Sequence, residues 1–133
     1  GSQGGPVHPI DMTNVTVEPG SIGDPWVRKI QANYWFMQGE YEALSGWSEA
    51  AWSAYVRAGE IAPSSRTMMY NISRILFLNN ELDEALDYAM KAMAIDPLWQ
   101  HSYPLAVRIL KRLGRFEEAR ILNKKAAKLS RFS

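Results

Sequence analysis

Few residues in this chain could do chemistry. Its two histidines are His8, in a leader rich in Gly and Pro, and His101, just ahead of a helical-looking run; they share no ligand spacing, and there is no cysteine to complete a metal site. The absence of cysteine excludes thiol catalysis, iron-sulfur clusters and cysteine zinc centres. There is no Gly-x-Ser-x-Gly elbow, no phosphate-cradling glycine loop followed by Lys-Ser/Thr, and no His-Glu-x-x-His helix. Adjacent carboxylates occur at Asp83-Glu84 and Glu117-Glu118, the expected starts of helices, where the positive end of the helix dipole favours acids. The expectation is therefore a protein that is not an enzyme and holds no cofactor. Asn14-Val15-Thr16 matches a glycosylation acceptor, a pattern too short to carry weight.

The elements must therefore serve binding. At 133 residues with 47% apolar content, the chain suits a single domain with a continuous core. Its apolar runs fall far short of the roughly 20 residues needed to span a bilayer, so a soluble protein is expected. The initial Gly-Ser resembles a cloning remnant, so export would follow if a signal had been removed upstream. Charge is uneven along the chain. Residues 1–99 carry 6 Lys/Arg against 12 Asp/Glu, whereas residues 100–133 carry 9 against 2.

Residues 1–23 show no sustained apolar period and read as a flexible leader. Asp24-Pro25 then supplies a cap and a first-turn proline for a helix from about Pro25 to Ser45. Beyond it a period of 34 residues emerges: Gly46, Asn80 and Gly114 keep that step, as do Ala51, Ala85 and Ala119, and again Ala58, Ala92 and Ala126. Pro63 and Pro97 share it. Three units follow, 32–65, 66–99 and 100–133, within a domain spanning 24–133. Gly or Asn at each midpoint accepts the left-handed backbone of a tight helix ending, and proline stops the second helix. Alanines at 85, 89, 92 and 94 mark a helix against which a neighbour lies close, where a large side chain would overpack the contact. A register seven residues earlier, with "QGEYEAL" as the turn, would leave Pro63 without a role; the later register also accounts for Trp35, Gly46, Ala51 and Ala58.

On these residues the chain resembles the tetratricopeptide repeat family. Trp35, Gly39, Ala51, Tyr55, Ala58 and Pro63 carry the pattern in the first unit, and Ile72, Ala85, Ala92 and Pro97 in the second, with Ser73 in the glycine place. In the third, Tyr103 fills the tryptophan place and Val107 the glycine place, Ala119 and Ala126 hold the alanine places, and no terminal proline occurs. The resemblance implies an all-α fold, an α-solenoid of three stacked antiparallel helix pairs wound as a right-handed superhelix. It also implies a concave groove, lined by the first helix of each unit, that takes peptide segments. Residues at the matching second-helix places run Trp52, Leu86, Arg120 and Val56, Met90, Lys124, so the packing face turns polar in the third unit and caps the array.

The groove places carry Phe36 and Glu40 from unit one, Tyr70, Asn71, Arg74 and Phe77 from unit two, and His101, Arg108, Lys111 and Arg112 from unit three, with Asn33, Ala43, Thr67 and Leu105 beside them. An aromatic centre and a basic end suit an acidic protein or peptide segment with an apolar anchor. A subclass of the family clamps the Glu-Glu-Val-Asp tails of chaperones with two lysines, two asparagines and an arginine. The corresponding places here hold Phe36, Glu40, Asn71, His101 and Leu105, of which only Asn71 agrees, so that ligand is not expected. The leading function is thus an adaptor or scaffold. The alternatives are binding of an anionic polymer or membrane surface by the basic third unit, and a homo-oligomeric scaffold. Lys124, Lys125, Lys128 and Arg131 lack interleaved aromatics, which disfavours nucleic acid.

Overall fold

A computed structural model describes residues 24–131. His8 and the Asn14-Val15-Thr16 pattern lie outside the described residues. Six α-helices make up this part, with no strand among the described residues: α1 (Pro25–Glu42), α2 (Glu49–Ile61), α3 (Arg66–Leu78), α4 (Leu82–Ile95), α5 (Ser102–Arg112) and α6 (Phe116–Ser130), with a 3-10 turn at Ala43–Ser45 after α1. They pack as consecutive pairs, α1 with α2, α3 with α4 and α5 with α6, stacked in order as an α-solenoid.

Local chemistry sets the helix ends. Asp24, Ser48 and Ser65 each stand in extended backbone and accept a backbone N–H into the side chain, from Trp26 at 2.9 Å, Ala51 at 3.2 Å and Met68 at 3.1 Å. Helices α4 and α6 begin without such a cap. Their turns are closed instead by backbone bonds: Glu81 N donates to Leu76 O at 2.9 Å and Arg115 N to Leu110 O at 2.8 Å, the ending in which a left-handed residue satisfies the last carbonyls. That residue is Asn80 (φ 63°) in one turn and Gly114 (φ 77°) in the other. Gly46 also has positive φ, at 123°, but with ψ 165° it lies outside the left-handed helical region, and the 3-10 turn makes this first connection longer than the other two. Helix α1 runs unbroken through residues 38–42, so "QGEYEAL" forms no turn before Ala43.

The repeated alanines occupy the inter-helix contacts. Ala51, Ala58, Ala85 and Ala92 are 0% exposed and Ala119 1%, while Ala126 is half-buried. Ala89 is buried as expected, but Ala94 is exposed: it sits on the water side of α4 and marks no close contact. The glycine place shows a graded fit. A Cβ at Gly39 would meet the Tyr55 ring at 2.9 Å; Ser73, buried, donates its hydroxyl to Ala85 O at 2.6 Å; Val107 is buried in the third pair. Gly59 adds a contact the period does not predict, since a Cβ there would lie 3.0 Å from Tyr88 and 3.2 Å from Ile72, and its absence lets α2 settle on the second pair. Side-chain bonds tie successive units, with Trp47 Nε1 donating to Glu81 Oε1 at 3.3 Å and Arg112 Nη2 to Asn80 Oδ1 at 3.0 Å, and Gln100 Nε2 donates to Leu129 O at 3.2 Å within the third unit.

Helix α6 differs from the rest. Ala119 is its one fully buried residue, and Arg120 and Lys124 face solvent where Leu86 on α4 is buried. Met90, the α4 counterpart of Lys124, is itself 50% exposed, so the loss of apolar cover begins one unit earlier than the residue types imply.

Candidate functional site

The first helices of the pairs, α1, α3 and α5, carry the groove candidates, and the structure sorts them into three groups. The first lies at the Phe77 end of α3. Phe77 is 6% exposed, so it forms a floor and not an open receptor, contrary to an anchor-receiving role. Arg108 and Arg112 of α5 lie over its ring, their guanidinium carbons 5.2 and 5.3 Å from the centroid. The ring quadrupole attracts both cations, and Arg112 also donates to Asn80. Both arginines and Lys111 are exposed. The three cations fall within the last turns of α5, where positive charge also complements the negative end of the helix dipole.

The second group gathers at the opposite ends of α3 and α5. Tyr70, half-buried, has its ring centroid 4.6 Å from that of His101 and 5.6 Å from that of Trp99, and Trp99 and His101 are 5.3 Å apart. Arg66 covers Trp99 at 4.4 Å from the ring centroid and is ion-paired with Asp96. Trp99 and Arg66 were not among the sequence candidates. No 34-residue step marks them; the available signals were the spacing of Trp99 two residues before His101 and the opposite charges at the start and end of one unit.

The third group lies between α1 and α3. A cleft of about 510 Å³ is lined by Arg28, Lys29, Asn33, Thr67 and Asn71 among others. Asn71 thus belongs to this cleft. Phe36 packs edge-on against Tyr55 at 5.2 Å between ring centroids, which makes it a helix-pair contact, half-buried. Leu105 is buried in the core and offers the groove nothing. Glu40 and Arg74, both exposed, act in opposite senses on Tyr55: burial pushes its phenol up to about 12, Glu40 adds to the rise, and Arg74 opposes it. Glu40 thus puts a negative charge on the α1 side, while Arg108, Lys111 and Arg112 put three positive charges on α5.

No metal-ligating group of three His, Asp or Glu residues occurs among the described residues, and none of their helices is long and apolar enough to cross a membrane.

Residues 67–97 match the family profile of the tetratricopeptide repeat. Comparison with curated proteins gives no match. Among solved structures, a mutant of MamA is similar with a TM-score of 0.63 and 21% identity over 83% of this chain and 78% of that one. The second TPR of Spaghetti (RPAP3), bound to HSP90 peptide SRMEEVD, is similar with a TM-score of 0.59 and 17% identity over 83% of this chain and 95% of that one. With the 34-residue helix pairs described above, these likenesses show that the chain has the fold of stacked helix pairs, and its second unit is the stretch that matches the tetratricopeptide repeat family.

Proposed function

We propose that the protein is a non-enzymatic adaptor whose α1, α3 and α5 face holds a segment of a partner protein, acidic at one point and apolar or aromatic a few residues away. The observation that carries this reading is the pair Arg108 and Arg112 over Phe77. A guanidinium drawn to a ring is partly ordered in advance and still has N–H groups for a carboxylate, so less side-chain entropy is lost on binding. The Tyr70, Trp99 and His101 rings supply the apolar contact. Tyr70 and Phe77 are seven residues apart on α3, about 10 Å along the axis, a span covered by about three residues of extended peptide. Glu40 on the α1 side directs an acidic ligand toward α3 and α5.

The chaperone-tail ligand fits poorly. Of the five clamp places, Phe36 and Leu105 are taken up in packing and Glu40 repels a carboxylate, although a protein of similar fold is bound to such a peptide. Fold alone does not transfer that ligand.

Panning a random peptide library on the full chain tests the reading. Enriched peptides should place Asp or Glu about three residues from an aromatic or large aliphatic residue. Arg108→Glu with Arg112→Glu should weaken the selected peptide by about tenfold or more, whereas Lys125→Glu with Lys128→Glu, an equal change in net charge on α6, should have little effect. Equal losses that vanish at high salt would instead indicate general attraction to the basic third unit. Peptides ending in Glu-Glu-Val-Asp should show no binding that depends on the free terminal carboxylate.

A further inference from the structure

The face of α1 turned away from the core is apolar and bare. Trp26 (68% exposed), Ile30 (42%), Met37 (66%) and Tyr41 (67%) fall within an arc of about 60° on the helix, and Leu44 (80%) extends the line into the 3-10 turn. The inward side of the same helix is set by Ala32 and Gly39, its two buried residues. The bare face is thus nearly opposite the core, and its edge at Lys29 and Glu40 borders the proposed peptide groove. At the other end of the array, α6 exposes two large apolar side chains, Phe116 and Ile121.

The flank of the α1 stripe carries a second signal. Lys29 lies near one end and Glu40 near the other, on the same edge of the stripe, and neither is ion-paired among the described residues. In an antiparallel pair of identical helices the same edges meet. Laid against its own copy in this way, α1 sets Trp26 against the partner's Leu44, Ile30 against the partner's Tyr41, and Lys29 against the partner's Glu40, with every contact repeated by the two-fold axis. Antiparallel packing also opposes the helix dipoles favourably. A parallel two-fold pair would carry the Lys29 and Glu40 edges of the two copies to opposite sides of the seam and leave both charges without these partners.

We infer that the occupant of this face is a second copy of the chain, joined by antiparallel pairing of the two α1 helices. The five exposed side chains offer roughly 600 Å² per copy, below the usual 800 Å² or so of a stable interface, so the dimer dissociates on dilution.

Sedimentation velocity on the full chain from ~2 to ~200 µM reads this directly by mass action. The expected result is a shift from 15.1 kDa to twice that mass. Met37→Glu and Tyr41→Glu should each raise the dissociation constant by about tenfold or more, because a carboxylate loses its water in the contact, while circular dichroism shows unchanged helix content and melting. Lys29→Glu and Glu40→Lys should each weaken the dimer, and the double exchange should restore it. A monomer at the highest concentration overturns the inference, including the case in which removing residues 1–23 then produces a dimer and so identifies the leader as the occupant. Open-ended growth beyond two copies overturns it in favour of head-to-tail contact with α6. Failure of the double exchange to restore association overturns the antiparallel register.

Discussion

Gly39 shows how one missing carbon sets the spacing of a helix pair. The Tyr55 ring lies where a Cβ would stand, 2.9 Å away, and Phe36 and Trp47 hold that ring from other sides, at 5.2 and 6.0 Å between centroids. The ring therefore has nowhere to retreat. Gly39→Ala should destabilise the protein by about 1 to 3 kcal/mol, despite the better intrinsic helix propensity of alanine. Urea unfolding at fixed pH measures it, and a neutral or stabilising result would mean that the Tyr55 ring is free to move. The same substitution at the exposed turn residue Gly46, with nothing within 4 Å, tests the backbone and not packing.

At the level of elements, the second and third pairs share one device: a left-handed residue followed by a backbone bond back into the preceding helix. Asparagine performs it at Asn80, with its side chain also accepting from Arg112. Asn80→Gly and Asn80→Ala both remove that acceptor, so the difference between them isolates the backbone. The alanine variant should be less stable than the glycine variant by about 1 kcal/mol. Thermal melting of the pair checks this, and equal midpoints would contradict a left-handed Asn80. The arginine pair over Phe77 should loosen in both, since Arg112 loses its anchor.

Across the described residues, burial is densest in α3 and α5, lower in α2 and α4, and falls to Ala119 alone in α6. In an array whose units contact only their neighbours, stability follows this distribution. Amide hydrogen exchange should be slowest in α3 and α5 and fastest in α6, and uniform protection through the last helix would reject the gradient. The arginines beside Phe77 and the Tyr70 aromatic group both rest on α3 and α5, the two most buried helices.

The solenoid was legible in the sequence because its causes are local and periodic. A left-handed turn tolerates few residue types, a close helix contact favours a small side chain, and both needs recur every 34 residues, so Asn80, Gly114, Ala85 and Ala119 announce them. The candidate groove was legible only in outline. A 34-residue register assigns a residue to a helix face but not to a depth, and depth depends on how far neighbouring helices splay. Phe77 and Leu105 therefore proved buried, Phe36 became a pair contact, and Trp99 and Arg66 joined the aromatic group around Tyr70 from a connection and a helix start that the register ignores. The bare stripe on α1 is a plain helical pattern, yet only the tertiary packing decides that it faces outward, because the core chose the side marked by Ala32 and Gly39. Periodicity determined which elements form and how they pair; the angles and depths at which they pack decided which side chains remain for a partner.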